Sequence, residues 1–374
     1  MIIILVSIIL FFFALVINKS NRKTLSLVSF ALFASILLLT NGQFEMNDYP
    51  HYINFYLGDS SMYGSLDVNG GYDLEWPYAE FVKIIRAIFP RYAYIYVLCY
   101  GVMWLIPMYK LLSKGSNNIP LSLFLICTVL NNSQLLFIIT AQRQMIATVS
   151  IMWAYYFLVY SSFKRKKIIA AFLLLLAIFA HSSSYFVIPL LALLYFIKLP
   201  SKKITYIIVA ISFIIGPLVQ SYMGPLFASL IISFGSADEI ERSTHYFIDN
   251  VYGFEGARYI GILPTTLIAL LFTYLYDKKM LESYGAKCLL FAVTFYNIFN
   301  SVPLLSRSLN ALFLLGVIFG VPYIVSRKQR SVFRAVMCVV AAGLMYTTVR
   351  NYNLGTDTNG VFPYPYVWED KKAL

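Results

Sequence analysis

Long apolar runs separated by short charged turns set the rhythm of this chain. A helix rising 1.5 Å per residue needs roughly 20 apolar residues to cross a bilayer core. On that template the sequence predicts about twelve spanning helices, near 2–17, 24–40, 92–112, 119–139, 145–162, 168–181, 185–198, 203–222, 259–276, 286–303, 308–325 and 332–349. The sixth and seventh are short, and 168–198 offers the alternative of one long helix kinked at Pro189, which would invert everything after it. Met1 to Ile17 lacks a basic start and is followed by Lys19, Arg22 and Lys23, so it reads as a first span rather than a cleaved signal peptide. A different pattern precedes the third span. Tyr78, Phe81, Val82, Ile85, Ile88 and Phe89 recur at helical spacing, with Glu80, Lys83 and Arg86 on the other side. That predicts an amphipathic helix lying in the outer membrane interface.

The pattern therefore predicts an all-α, polytopic integral membrane protein, with 1–374 as one domain. Its outer pieces are the loops 41–90 and 221–259 and the tail 350–374. Charge orients it. With twelve passes, the inner loops hold 19 of the 29 cations and two of the 17 acids, Asp277 and Glu282; the outer side keeps 10 cations and 15 acids. The balance is 19 − 2 = +17 inside and 10 − 15 = −5 outside, as cytoplasmic enrichment in Lys and Arg requires. One long helix over 168–198 would move the last ten inner cations outside.

Composition agrees: 60% of residues are apolar and 12% are charged, against about 25% charged in a soluble domain. The net charge of +12 sits in short loops between apolar runs, so topology explains it without a nucleic-acid partner. Cys99, Cys127, Cys288 and Cys338 lie in apolar runs, with neither metal-ligand nor disulfide spacing. No GxxxxGK[ST] loop and no HExxH motif occurs, which argues against ATP-driven transport and zinc chemistry.

Candidate chemistry gathers in 140–184. Arg143 opens one span, Lys164 to Lys167 form the turn, and His181 closes the next, so both would face the outer compartment. Counted from the cationic turn, Arg143 lies about 31 Å up its helix and His181 about 21 Å, which sets the histidine roughly 10 Å deeper. Arg258, Arg307 and Arg350 also head or end spans on the outer side. Guanidinium stays charged and grips phosphate oxygens through paired bonds, so such groups suit a lipid pyrophosphate; pairing with outer acids or headgroups is the plainer role. His181 could act as a base or as a donor to an anion, or simply be a hydrogen-bonded core residue. Asp48 and Glu75 are the outer carboxylates nearest the membrane, and either could take a proton from an acceptor hydroxyl. Within spans, Asn131 to Gln134, Asn297, Asn300 and Asn310 could line a wet cavity or bond neighbouring helices.

Several short motifs then fall in a recognisable order. Asp48-Tyr49-Pro50-x-Tyr52, Glu75-Trp76-Pro77-Tyr78, Arg143-Gln144-x-x-Ala147, Ala180-His181-Ser182-Ser183, a late Arg307 and Pro363-Tyr364-Pro365-Tyr366 together resemble the EpsG family. These are Wzy-like polymerases of bacterial exopolysaccharide and capsule. The family has proline directly after the glutamate; here Trp76 intervenes. The resemblance implies a GT-C-like membrane glycosyltransferase at the outer face of the cytoplasmic membrane. It would join oligosaccharide repeats carried on undecaprenyl pyrophosphate, with no cofactor and no metal. A flippase and a chain-length regulator would be its partners. Arg143 with Gln144, and Arg307 or Arg258, would bind the pyrophosphate, and His181, Asp48 or Glu75 would serve as the base. Two other classes compete on the residues alone: a flippase of the same lipid-linked repeats, and a membrane O-acyltransferase using the histidine.

Overall fold

Thirteen α-helices account for all regular structure among the described residues of the computed structural model, which are 2–39, 49–57, 76–90, 92–129, 142–181, 183–216, 258–275, 283–299 and 303–325. They are α1 (Ile2–Val16), α2 (Arg22–Leu39), α3 (Tyr49–Leu57), α4 (Trp76–Ile88), α5 (Ala93–Gly115), α6 (Ile119–Val129) and α7 (Gln142–Tyr160). Then come α8 (Lys166–Ala180), α9 (Ser184–Phe196), α10 (202–216), α11 (Arg258–Leu275), α12 (Tyr284–Phe299) and α13 (Pro303–Val325). Helices occupy eleven of the twelve predicted segments, and the twelfth, 332–349, lies outside the described residues. Among the described residues one stretch, Tyr94–Gly115 in α5, is long and apolar enough by length and composition to cross a membrane: it has 22 residues, with mean hydropathy 1.6 over an 18-residue window. The other helices fall short of that measure because they are brief, carry polar residues in their end turns, or adjoin residues outside the description, as α6 does beyond Val129.

The region 168–198 is two helices. α8 stops at Ala180, His181 is extended, and α9 starts at Ser184. Pro189 sits inside α9 and is not the break. The chain divides into two compact units, Met1–Ile188 with Val325–Leu374, and Pro189–Ile324.

In the first unit, helix directions follow from their end contacts. Asn118 caps α6, accepting the Leu121 N–H at 3.0 Å, and its Nδ2 donates to the Ala14 carbonyl at the end of α1. Arg22, at the start of α2, donates to the Ser116 carbonyl just past α5 at 3.2 Å. Lys166, at the start of α8, donates to the carbonyls of Leu158 and Ser161 at the end of α7, both at 3.2 Å. The last carbonyls of a helix have no intrahelical partner and carry partial negative charge, so cations suit them. α5 and α7 run side by side in one direction, joined near their starts by Tyr96 and Gln142. The ends of α1, α5 and α7 and the starts of α2, α6 and α8 thus form one cationic end. The start of α7 and the end of α8 lie at the other. α7 is enclosed almost throughout, with Met145 to Met152 all buried.

The second unit repeats the device. Lys287 of α12 donates to the carbonyls of Leu194 and Ile197 at the end of α9, at 3.4 and 2.7 Å, and Tyr284 donates to that of Leu191 at 2.6 Å. Lys202 of α10 donates to the Tyr274 carbonyl near the end of α11 at 2.5 Å. Away from these cations, Asn297 Nδ2 donates to Ser212 Oγ at 3.1 Å and Thr266 Oγ1 at 2.8 Å, tying α10 and α11 to α12. For Asn297 this is the interhelical role the sequence allowed. α13 packs antiparallel on α12 through Gly316 and Gly320. A Cβ at Gly316 would stand 2.9 Å from the Cys288 carbonyl oxygen, and one at Gly320 would collide with the Leu289 side chain. This is the small-residue spacing that lets helix backbones approach closely.

Apolar stripes face outward. On α8, Ile168, Phe172, Leu175 and Phe179 are exposed at helical spacing, and on α10 so are Ile204, Ile207, Ile208, Ile211, Ile214 and Ile215. α4 has the expected two faces, with Tyr78 and Val82 buried and Glu80 paired to Lys83 at 2.7 Å in the open. It also exposes Trp76, Ile84 and Ile88.

Two stability measurements test this packing. Gly316→Val should cost about 1–3 kcal/mol by overpacking the α12 contact, read as a lower melting temperature of the detergent-solubilised protein; a variant as stable as the parent would disprove the close approach. Lys287→Met should cost roughly 1–2 kcal/mol by uncapping α9, whereas the exposed Lys83→Met should change stability by less than about 0.5 kcal/mol.

Candidate functional site

Arg143 sits in the first turn of α7, half-buried, between Gln142 and Gln144, which are 0% and 1% exposed. The polar start of α7 is therefore folded into the protein. What receives it is a set of tyrosines. Tyr96 of α5 donates to Gln142 Oε1, and its hydroxyl is 2.9 Å from that of Tyr78 on α4. Tyr56 of α3 stacks on Tyr96 with ring centroids 4.9 Å apart, and Tyr52 meets Tyr78 at 5.2 Å. Tyr52, Tyr56, Tyr78, Tyr96 and Tyr100 are all buried. Buried tyrosines need partners for their hydroxyls, and here they find one another, Gln142 and the backbone. Tyr56 donates to the Phe89 carbonyl. Burial pushes its hydroxyl up from the ordinary tyrosine value, so it remains protonated and a donor.

His181 ends α8 with extended backbone, φ −167° and ψ 137°. Its ring Nδ1 accepts the Ser183 backbone N–H at 3.1 Å and lies 2.8 Å from Ser183 Oγ. Trp76, the first residue of α4, meets Phe179 near the end of α8, with centroids 6.3 Å apart. α4 therefore touches α5 through Tyr78, whose partner Tyr96 links on to Gln142 of α7, and α8 through Trp76. Two buried polar atoms at this end make no hydrogen bond: Gln142 Nε2 and Ser184 Oγ. Leaving a buried donor or acceptor unmade costs about 1–3 kcal/mol.

Arg143 and His181, paired by sequence, thus do share one end of the first unit. Counted from the helix bounds rather than from the cationic turn, the expected difference in depth shrinks. α7 runs about 26 Å from Arg143 to Tyr160 and α8 about 23 Å from Lys166 to His181, so the offset is roughly 3 Å rather than 10 Å. The reason is the turn: residues 161–163 are not helical, and Lys167 already belongs to α8. Arg258 opens α11 and Arg307 is the fifth residue of α13, each at the end of the second unit away from Lys202 and Lys287. Asp48 and Glu75, immediately before α3 and α4, lie outside the described residues, as do Asn131 to Gln134, Asn300, Arg350 and the Pro363 to Tyr366 motif. Gln144 is more enclosed than a surface contact requires. Its neighbour Gln142, which sequence reading passed over, carries the tyrosine network.

α3 was also invisible to the span count. Nine residues are too few for a spanning run, yet Tyr52, Ile53 and Tyr56 at i, i+1 and i+4 are the signal of one buried helical face. Pro50 stands in its first turn, where a missing N–H costs nothing.

Comparison with curated proteins and with solved structures found no match. A family model described as EpsG family matches residues 26–366, nearly the whole chain and every motif quoted above. The order of those motifs along a helical chain and this match agree: the protein belongs to the EpsG family, a family of Wzy-like polymerases.

Proposed function

We propose that this chain is a polysaccharide polymerase that joins undecaprenyl-pyrophosphate-linked oligosaccharide repeats at the outer face of the bacterial cytoplasmic membrane. Family membership supports polymer synthesis. The observation that carries the reading is the placement of Arg143 and His181 at the same end of the first unit, opposite the Lys164–Lys167 turn. In this reading twelve helices cross the bilayer. The cationic ends lie in the cytoplasm, the apolar stripes of α8 and α10 face lipid, and α4 lies in the outer interface.

The reaction in this reading is a glycosyl transfer. A hydroxyl at the non-reducing end of a new lipid-linked repeat attacks the anomeric carbon of the growing chain. The bond from that carbon to the pyrophosphate oxygen breaks, and the lipid pyrophosphate leaves with the electron pair. Asp48, Glu75 or His181 takes the hydroxyl proton. Arg143, with Gln144 beside it, binds the pyrophosphate through paired guanidinium bonds that strengthen as charge gathers on the leaving oxygen. Arg258 and Arg307 are the anion-binding candidates of the second unit. The energy comes from the glycosyl–phosphate bond that breaks, so no nucleotide sugar is required, and the reading calls for no metal. A flippase would deliver the substrate, and a chain-length regulator would be a further partner.

Arg143→Ala should lower polymer formation by about 100-fold or more, while single repeats still reach the cell surface. Normal polymer in a strain carrying only that variant would remove the reading. In a deletion strain, surface-exposed lipid-linked single repeats are expected. Repeats trapped in the cytoplasmic leaflet would mean a flippase, and full-length polymer lacking acyl groups would mean an O-acyltransferase.

A further inference from the structure

Gln142 is the first residue of α7 and Arg143 the second, so whatever holds the glutamine holds the turn that carries the arginine. A helix is least secured at its start, where the first four N–H groups have no intrahelical acceptor. Here a side chain secures it. Gln142 is fully buried, and its Oε1 accepts the Tyr96 hydroxyl of α5. Its Nε2 makes no hydrogen bond, so the link to Tyr96 is what fixes this side chain. A carbonyl oxygen accepts and does not donate, so the single hydrogen of Tyr96 is spent on Gln142. The Tyr78 hydroxyl of α4, 2.9 Å away, is then the donor to Tyr96. The bonds run in one direction, Tyr78 to Tyr96 to Gln142, and cross three helices. Rings hold the middle member in place. Tyr56 stacks on Tyr96 at 4.9 Å with 22° between the planes, and Phe81 lies 6.2 Å from it. Ring packing does not need the hydroxyls. They add direction, because a hydrogen bond ties α7 to one rotation and one height, whereas apolar contact is non-directional.

We propose that Tyr96 and Gln142 are positioning residues for Arg143, and that the Tyr78–Tyr96–Gln142 bonds set the first turn of α7 so that the guanidinium meets the leaving pyrophosphate. The proposal rests on the polymerase reading above and deepens it. Successive helical residues are turned by about 100°. Directing Gln142 at α5 therefore fixes the direction in which Arg143 leaves the helix, and Arg143 is half-buried where Gln142 and Gln144 are enclosed. Guanidinium has five donors in a rigid fork, so it can keep a contact within the protein and still offer a pair to phosphate oxygens. Paired bonds are demanding in angle, and a misplacement of about 1 Å can cost about 100-fold in rate. Tyr96 and Gln142 act through the arginine and not on the reacting atoms.

Tyr96→Phe removes the hydroxyl and keeps the ring. In full-length protein supplied with lipid-linked repeats it should lower kcat about tenfold or more, with KM within about twofold, because Arg143 tightens its hold as charge develops in the transition state. Gln142→Met breaks the same bond from the other side and should match it, and the two together should be no worse than either alone. In an Arg143→Lys background, which lacks the fork, Tyr96→Phe should cost less than about twofold. Parent kcat in Tyr96→Phe would overturn the proposal. So would an equal fall with and without Arg143, which would mean packing alone. Failure of both single variants to fold would also overturn it, because the bonds would then hold the fold and not the arginine. Binding is read without turnover. Undecaprenyl pyrophosphate in detergent micelles carries the charge of the departed leaving group, and Tyr96→Phe should weaken its binding about tenfold; unchanged binding would count against the positioning role. If the parent fails to polymerise, the polymerase reading falls and binding still decides the role of Tyr96. A parent that also fails to bind undecaprenyl pyrophosphate removes both.

Discussion

The carbonyls at the end of a helix have nothing above them to bond, and in this protein cations supply what is missing. Arg22 meets the end of α5, Lys166 that of α7, Lys287 that of α9 and Lys202 that of α11. Each cation stands at or near the start of another helix, so each bond ties an ending helix to a beginning one. That repeated contact fixes the direction of the helices within each unit. Short turns such as 161–165 already set consecutive helices back on one another, and the cation contacts reinforce that arrangement.

Direction has a chemical consequence at the opposite end of the first unit. With α7 ending among cations, its start carries Arg143 into the company of α4, α5 and the end of α8. The tyrosines there convert a polar helix start into something that can be buried. Tyr96 satisfies Gln142 on one side and Tyr78 on the other, and α3 and α4 close over them with aromatic rings. The half-buried arginine is thus held by neighbours that have few ways to move. Such preorganisation is what an anion site needs if it is to act on a leaving group without first rearranging.

Much of this could be read in advance from particular residues. The runs that became α1, α2, α5, α7 and α10 to α13 were plain because apolar stretches of near-spanning length have few other uses, whereas the shorter α8 and α9 left a single kinked helix over 168–198 open until the break at His181 decided it. The Lys164 to Lys167 turn announced the α7–α8 hairpin, and the alternation around Tyr78 and Val82 announced α4. Three features were not legible. α3 is too short to register as a span, and its role depends on which rings it meets. Gly316 and Gly320 look like ordinary glycines until the backbone of α12 lies against them. Gln142 and Gln144 are indistinguishable as letters, and only the position of Tyr96 decides which of them carries the network.

The sequence by itself determined the helices, their charge asymmetry and the family, because these depend on local composition and on the order of short motifs. It also named Arg143 and His181. Tertiary structure decided what those residues can do. The break at His181, the Ser183 amide on its ring and the small offset between the tops of α7 and α8 are matters of a few ångströms. They follow from where a turn stops being helical, which no count of residues specifies. A one-letter code says that a histidine is present, and the Ser183 amide that reaches its ring says which nitrogen faces the turn.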